Sequence, residues 1–157
     1  MKPILLITIL FVIAIALAAV LTPKPGYLVQ QGLYPVKLPV VQGTAPERGQ
    51  PLLIEFWRID CPGCLESVQH LNDLHARYRP RGLRILGVTN DAPEALQRFQ
   101  LRAPIQYDIA NDPGERYQNA LSVYAIPDAL LLDHRGVIRW RGDPRTLEEA
   151  EIERILR

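Results

Sequence analysis

The chain has 157 residues, 48% of them apolar, and a formal net charge of +1. That length supports one domain with a packed core. The balanced charge, with no like-charge run or basic stripe, excludes nucleic acid as an expected partner. Two cysteines are too few for a disulfide framework.

The first element is an apolar run from Ile4 to Leu21, interrupted only by Thr8 and preceded by Lys2. At ~1.5 Å per residue it nearly spans a ~30 Å hydrocarbon core. It reads as an uncleaved signal anchor over residues 1–22. The alternative is a cleaved secretory signal, since Ala16-Leu17-Ala18 fits a small-x-small cleavage site. Lys2 favours a cytoplasmic N-terminus, so both readings export the rest of the chain into a compartment that permits disulfides.

Residues 23–50 are rich in proline and glycine and read as a stalk, with a short edge strand at Val36–Val41. The domain proper is expected over 51–157. Pro51–Trp57 is apolar except for Glu55, as in a central strand buried on both faces. A helix from Cys61 to Tyr78 follows, with Leu65, Val68, Leu71, Leu74 and Tyr78 on one face. Leu83–Thr89 is the next strand. Asn90 or Asp91 is placed to cap a helix over Pro93–Leu101. A strand at Ile105–Ile109 and a helix over Pro113–Leu121, capped by Asp112, come next. Asp128–Leu132 and Val137–Arg141 form a hairpin around a turn that includes His134 and Gly136. A final helix covers Leu147–Leu156, with Thr146 and Glu149 as its capping box. The order βαβαβαββα predicts an α/β fold with early parallel pairing.

The two cysteines lie in Trp57-Arg58-Ile59-Asp60-Cys61-Pro62-Gly63-Cys64, where the buried strand gives way to the helix. At a helix N-terminus the dipole and unpaired N–H groups stabilise an anion, so a Cys61 thiolate becomes accessible near neutral pH. Cys64, one turn on, can reach back to close a disulfide. A purely structural disulfide over so short a loop removes little chain entropy. A zinc site needs four ligands, and His70 and His75 lie roughly 140° apart on one helix.

The run Glu55-Phe56-Trp57-x-x-x-Cys61-Pro62-Gly63-Cys64 resembles the active-site segment of thioredoxin-like proteins, specifically the membrane-anchored TlpA/ResA-like thiol-disulfide oxidoreductases of bacteria. These include the cytochrome c maturation thioredoxins. The resemblance covers Pro51 to Arg157 and includes Tyr124-Ala125-Ile126-Pro127-Asp128 and the Gly136 turn. It implies a thioredoxin-like fold: a central mixed β-sheet flanked by helices, preceded by the transmembrane or signal helix. It also implies room for an added strand–helix unit near Asn90–Asn111.

The resemblance assigns Cys61 as the attacking cysteine, Cys64 as the resolving one and Pro127 as a cis-proline facing them. Ile126 supplies backbone groups to a substrate segment. Asp60, Pro62, Gly63 and Asp128 complete the substrate-binding set, and Trp57 is counted with it while packing beneath the site. The redox centre is the Cys61–Cys64 disulfide itself, so no other cofactor is implied. The implied partners are protein thiols and disulfides, and a membrane thiol-reducing donor. The implied location is the bacterial inner membrane, single-pass with the domain in the periplasm or outside the cytoplasmic membrane; the alternative is a secreted, soluble periplasmic protein.

Three departures from the family pattern matter. Asp60 replaces a tryptophan, and either opposes the Cys61 thiolate or caps the helix. Ser67 occupies the place of a frequent glutamate, and the role does not pass to Glu66. Glu55, buried in its strand, is better placed to move protons to and from Cys64. Asp128 replaces a hydroxyl residue and either selects basic or polar partners or points into its loop.

The leading expectation is an enzyme that reduces protein disulfides. The alternative is a thioredoxin-like binding module or copper-delivery protein using the same cysteines. A peroxidatic enzyme is disfavoured, because Arg58 stands where such enzymes have threonine.

Overall fold

The computed structural model describes residues 37–157, so the expectations placed on 1–36 lie outside the described residues. Among the described residues no helix is long and apolar enough to cross a membrane.

Strand β2, Leu52–Phe56, is fully buried, as its unbroken apolar run predicts. It pairs in parallel with β3, Arg84–Thr89, and antiparallel with β5, Asp128–Leu132. β3 pairs in parallel with β4, Asp108–Asn111. The edges are β1, Val40–Gln42, antiparallel to β4, and β6, Ile138–Gly142, antiparallel to β5. The result is a mixed six-stranded sheet ordered β1-β4-β3-β2-β5-β6.

Successive strand residues face opposite sides. Leu53, Trp57, Ile85, Ile109, Ala129 and Leu131 pack with helix α1, Pro62–Tyr78, with Leu96 of α2, Pro93–Gln100, and with Ile152 and Ile155 of α4, Glu149–Ile155. Leu52, Ile54, Phe56, Leu86, Val88, Leu130 and Leu132 pack on the other side with Tyr117 of α3, Arg116–Ala120. Glu55, two residues from both Leu53 and Trp57, shares their face, so its carboxyl lies on the α1 side.

Several local expectations are corrected. In α1, Leu65 is 38% exposed, and Cys64 and Ser67 take the inward positions with Val68, Leu71, Leu74 and Tyr78. Helix α2 begins after Ala92 without a side-chain cap. Asp91 is unavailable because its carboxylate accepts the Ile59 N–H at 2.9 Å and the Thr89 hydroxyl at 2.7 Å. Strand β4 starts at Asp108 rather than Ile105. The Ile105 and Tyr107 carbonyls accept from the Gln42 side chain, and the Gln106 N–H donates to Asn72, so side chains satisfy this backbone in place of a ladder.

Helix α3 is shorter than expected because Glu115 sits at φ 52. Asp112 still serves its N-terminus, accepting the N–H groups of Arg116, Tyr117 and Gln118. The capping box at α4 does not form. The Thr146 hydroxyl donates to the Asp143 carbonyl, and Glu149 accepts from Tyr78 and Arg77 instead.

Candidate functional site: the Cys61–Cys64 loop

The chain leaves β2 through Trp57, whose N–H continues the ladder to the Val88 carbonyl at 3.1 Å. The turn Arg58–Asp60 is held from below by the Ile59–Asp91 bond. Cys61 is the N-cap of α1, and its sulfur accepts the Cys64 N–H at 3.2 Å. Asp60 therefore does not cap the helix. Its carboxylate lies 3.3 Å from the Arg58 guanidinium, with the side chain 73% exposed.

Cys61 and Cys64 form a disulfide. Its two halves differ in access: Cys64 is buried at 1% exposure, whereas Cys61 is half-buried. Pro62 is exposed and Gly63 half-buried beside them. A nucleophile from solvent reaches Cys61 first.

The Ile126–Pro127 bond is cis. A side chain at Gly63 would begin 3.5 Å from Pro127 Cδ and 3.6 Å from the Arg145 guanidinium. The cis-proline and the cysteine loop thus lie side by side, within van der Waals reach of one another at Gly63. The Ile126 N–H and carbonyl have no backbone partner among the described residues. Asp128 is not a free acid, because Arg141 donates to it through Nε at 2.9 Å and Nη2 at 2.5 Å. Arg141 also donates to the Leu121 and Ser122 carbonyls, which ties Asp128 into its own loop.

On the α1 side of β2 lies a buried polar group. Glu55 is 1% exposed, and the Tyr107 hydroxyl donates to its Oε1 at 2.5 Å. Its Oε2 has no partner among the described residues. Ser67, fully buried nearby, gives its one hydroxyl proton to the Cys64 carbonyl at 2.7 Å. Burial pushes the Glu55 carboxyl up to about 7 against the pull of its hydrogen bonding. Burial, and then the neighbouring Glu55, hold the Tyr107 phenol well above its ordinary range, so it stays a donor.

Trp57 is 1% exposed and packs against Phe99 in a tilted ring contact, 5.7 Å between centroids. It supports the site from the core and offers no surface to a partner, which corrects its place in the substrate-binding set. The sequence reading missed Tyr107, Arg141 and Arg145. Arg145 reaches the loop while paired to Asp143 at 2.6 Å and to Glu66. An aromatic hydroxyl two strands from Glu55 leaves no signal in sequence spacing.

The larger cleft, about 460 Å³ in volume, is lined by Leu38, Asn111 and Tyr117 and holds none of the cysteine loop. A smaller one, about 280 Å³, lies beside the loop between Ile59 and α2.

The profile of the AhpC/TSA family matches residues 36–141. The chain is 26% identical over 159 residues to the thiol-disulfide oxidoreductase ResA of Geobacillus kaustophilus, covering 90% of this chain and 91% of the relative. It is 33% identical over 115 residues to the thiol:disulfide interchange protein DsbE of Escherichia coli K12, covering 69% of this chain and 60% of the relative. A crystal structure described as a DsbE-type thiol:disulfide interchange protein from Chlorobium tepidum superposes with TM-score 0.66 at 22% identity. It covers 70% of this chain and 82% of that one, and it shares the fold.

Proposed function

The chain belongs to the AhpC/TSA family, and on that premise we propose that it is a thiol-disulfide oxidoreductase that reduces disulfides in partner proteins. The observation that carries this reading is the asymmetry of the disulfide, with Cys61 reachable at the helix N-terminus and Cys64 buried behind it. Likeness to relatives named for the same chemistry supports it.

In the reduced protein the Cys61 thiolate attacks one sulfur of a partner disulfide. A Cys61–partner bond forms, the partner S–S bond breaks, and one partner thiolate leaves. Cys64 gives up its proton, and its sulfur attacks Cys61 Sγ. The Cys61–Cys64 disulfide forms and the second partner thiolate leaves. Two electrons pass to the partner and two protons complete its thiols. Glu55 is the base that takes the Cys64 proton, since a carboxyl titrating near 7 is matched to that task. Ile126 offers its free backbone groups to the partner segment, and Pro62, Gly63 and Pro127 form the contact surface with Asp60 at its rim.

A membrane thiol-reducing donor returns the disulfide to the dithiol. The apolar run Ile4–Leu21 anchors the chain with the domain across the bacterial inner membrane; the alternative is a cleaved signal that leaves a soluble periplasmic protein.

Titration of the full chain in thiol buffers tests the direction of electron flow. A potential near thioredoxin's, about −270 mV, is expected; a value at about −120 mV makes the protein an oxidant and overturns the reductase reading.

A further inference from the structure

The cleft beside the cysteine loop is floored by Ile59, Ala95 and Phe99 and flanked by Arg98 and Arg102. Its floor is continuous with the site. Ile59 lies two residues before Cys61, Phe99 packs at a tilt against Trp57, and Ile59, Cys61, Phe99 and Ile126 all pack against the core cluster that contains Cys64.

The two arginines make no side-chain hydrogen bond or ion pair among the described residues. Arg58, Arg77, Arg79, Arg81, Arg84 and Arg139 each meet a carboxylate, whereas among the described residues Arg98 and Arg102 share their lack of a side-chain partner with Arg48, Arg116 and Arg135; what distinguishes the pair is that both line the cleft beside the cysteine loop. Arg98 lies in the last turn of α2 and Arg102 in the turn just after the helix. The C-terminal end of a helix favours a cation. That accounts for the charges but not for an apolar floor between them next to a reactive disulfide.

We propose that this cleft seats the partner segment flanking the disulfide to be reduced, and that the segment it fits carries acidic residues around an apolar one. The apolar side chain lies on Ile59 and Phe99, and the carboxylates meet the Arg98 and Arg102 guanidiniums, which suit carboxylates by their fork geometry. The partner cysteine then lies over Cys61. The proposal rests on the exchange chemistry above and names a substrate preference for it.

Two peptides with one internal disulfide each, identical except for Glu or Lys on both sides of a leucine beside the cysteine, test it with the full reduced chain. The acidic peptide is expected to be reduced with kcat/KM at least tenfold above the basic one, with the ratio shrinking as salt is raised. In the double variant Arg98→Glu, Arg102→Glu the ratio is expected to invert. Because a ratio is read within each protein, a loss of active fraction does not move it. Equal kcat/KM for the two peptides, or a ratio unchanged in the variant, overturns the proposal.

A copy of the acidic peptide with serine for both cysteines reads the cleft apart from the exchange. It is expected to bind the oxidised wild type and to lose that binding in the double variant; absence of binding to the wild type also overturns the proposal. Neutral hydroxyethyl disulfide reads the exchange apart from the cleft. If the reduced wild type fails to reduce it while the serine peptide binds, the exchange reading falls and the cleft stands.

Discussion

Glu55 sits in a position that opposes its own ionisation. A carboxylate at 1% exposure loses its water, and one phenolic donor on Oε1 replaces little of it. The folded protein therefore binds a proton at Glu55 up to about pH 7, whereas an unfolded chain releases it near the ordinary value of 4.5. Between those values the folded state holds more protons, so its stability is greatest below the lower one and falls as pH rises through about 7. The gap corresponds to on the order of 3 kcal/mol. Urea unfolding of the oxidised protein is expected to show this fall, and Glu55→Gln is expected to abolish it and to be the more stable form at pH 8. If Glu55 is also the base for Cys64, Glu55→Gln slows decay of the mixed disulfide roughly 10²-fold in quenched-flow assays. Tyr107→Phe removes the larger of the hydrogen-bonding influences, from Tyr107 and Ser67, that favour the charged form. The pH midpoint of that decay is expected to move upward, while a midpoint that stays in place shows that Tyr107 has no hold on the carboxyl.

Among the elements, the sheet makes demands that chain order alone does not express. A side chain at Gly87 of β3 would begin 2.8 Å from Trp57 Nε1 and 3.2 Å from Tyr107 Cε2. Gly87→Ala is expected to destabilise the protein by about 1–3 kcal/mol in urea unfolding, because it pushes apart the two aromatics that support the site. Strand β2, helix α1 and the β5–β6 hairpin were legible because each is set by its own period, run or turn. The boundaries of β4 and the caps of α2 and α4 were not. Gln42, Asn72, Thr89 and Tyr78 compete for those backbone and carboxylate groups from distant parts of the chain. For the same reason sequence left open whether Asp128 faces a partner or its own loop, and Arg141 of β6 holds it to the loop. The placement of Cys61 and Cys64 at the strand–helix junction and the burial of Glu55 were legible because motif, apolar run and strand position coincide on a few consecutive residues.

At the scale of the whole molecule, the fold converts one strand–helix junction into a site with a reachable and a hidden sulfur. The β2–β3 pair fixes the floor, α1 supplies the N-terminus, and the β5 side brings Pro127 against Gly63. On the proposed reading, the apolar run at Ile4–Leu21 adds a location to that chemistry. Carbonate extraction of bacterial membranes is expected to leave the full chain in the pellet; recovery of a shortened chain in the soluble fraction shows that the run is a cleaved signal. The measurement that bears most directly on the account is trapping of the mixed disulfide. A disulfide-containing protein is incubated with reduced Cys64→Ser or Cys61→Ser chain and the adducts are mapped by mass spectrometry without reductant. The account predicts a stable adduct through Cys61 in the first variant and none in the second. Equal trapping through Cys64, or no adduct in either, would contradict the assignment of Cys61 as the attacking residue.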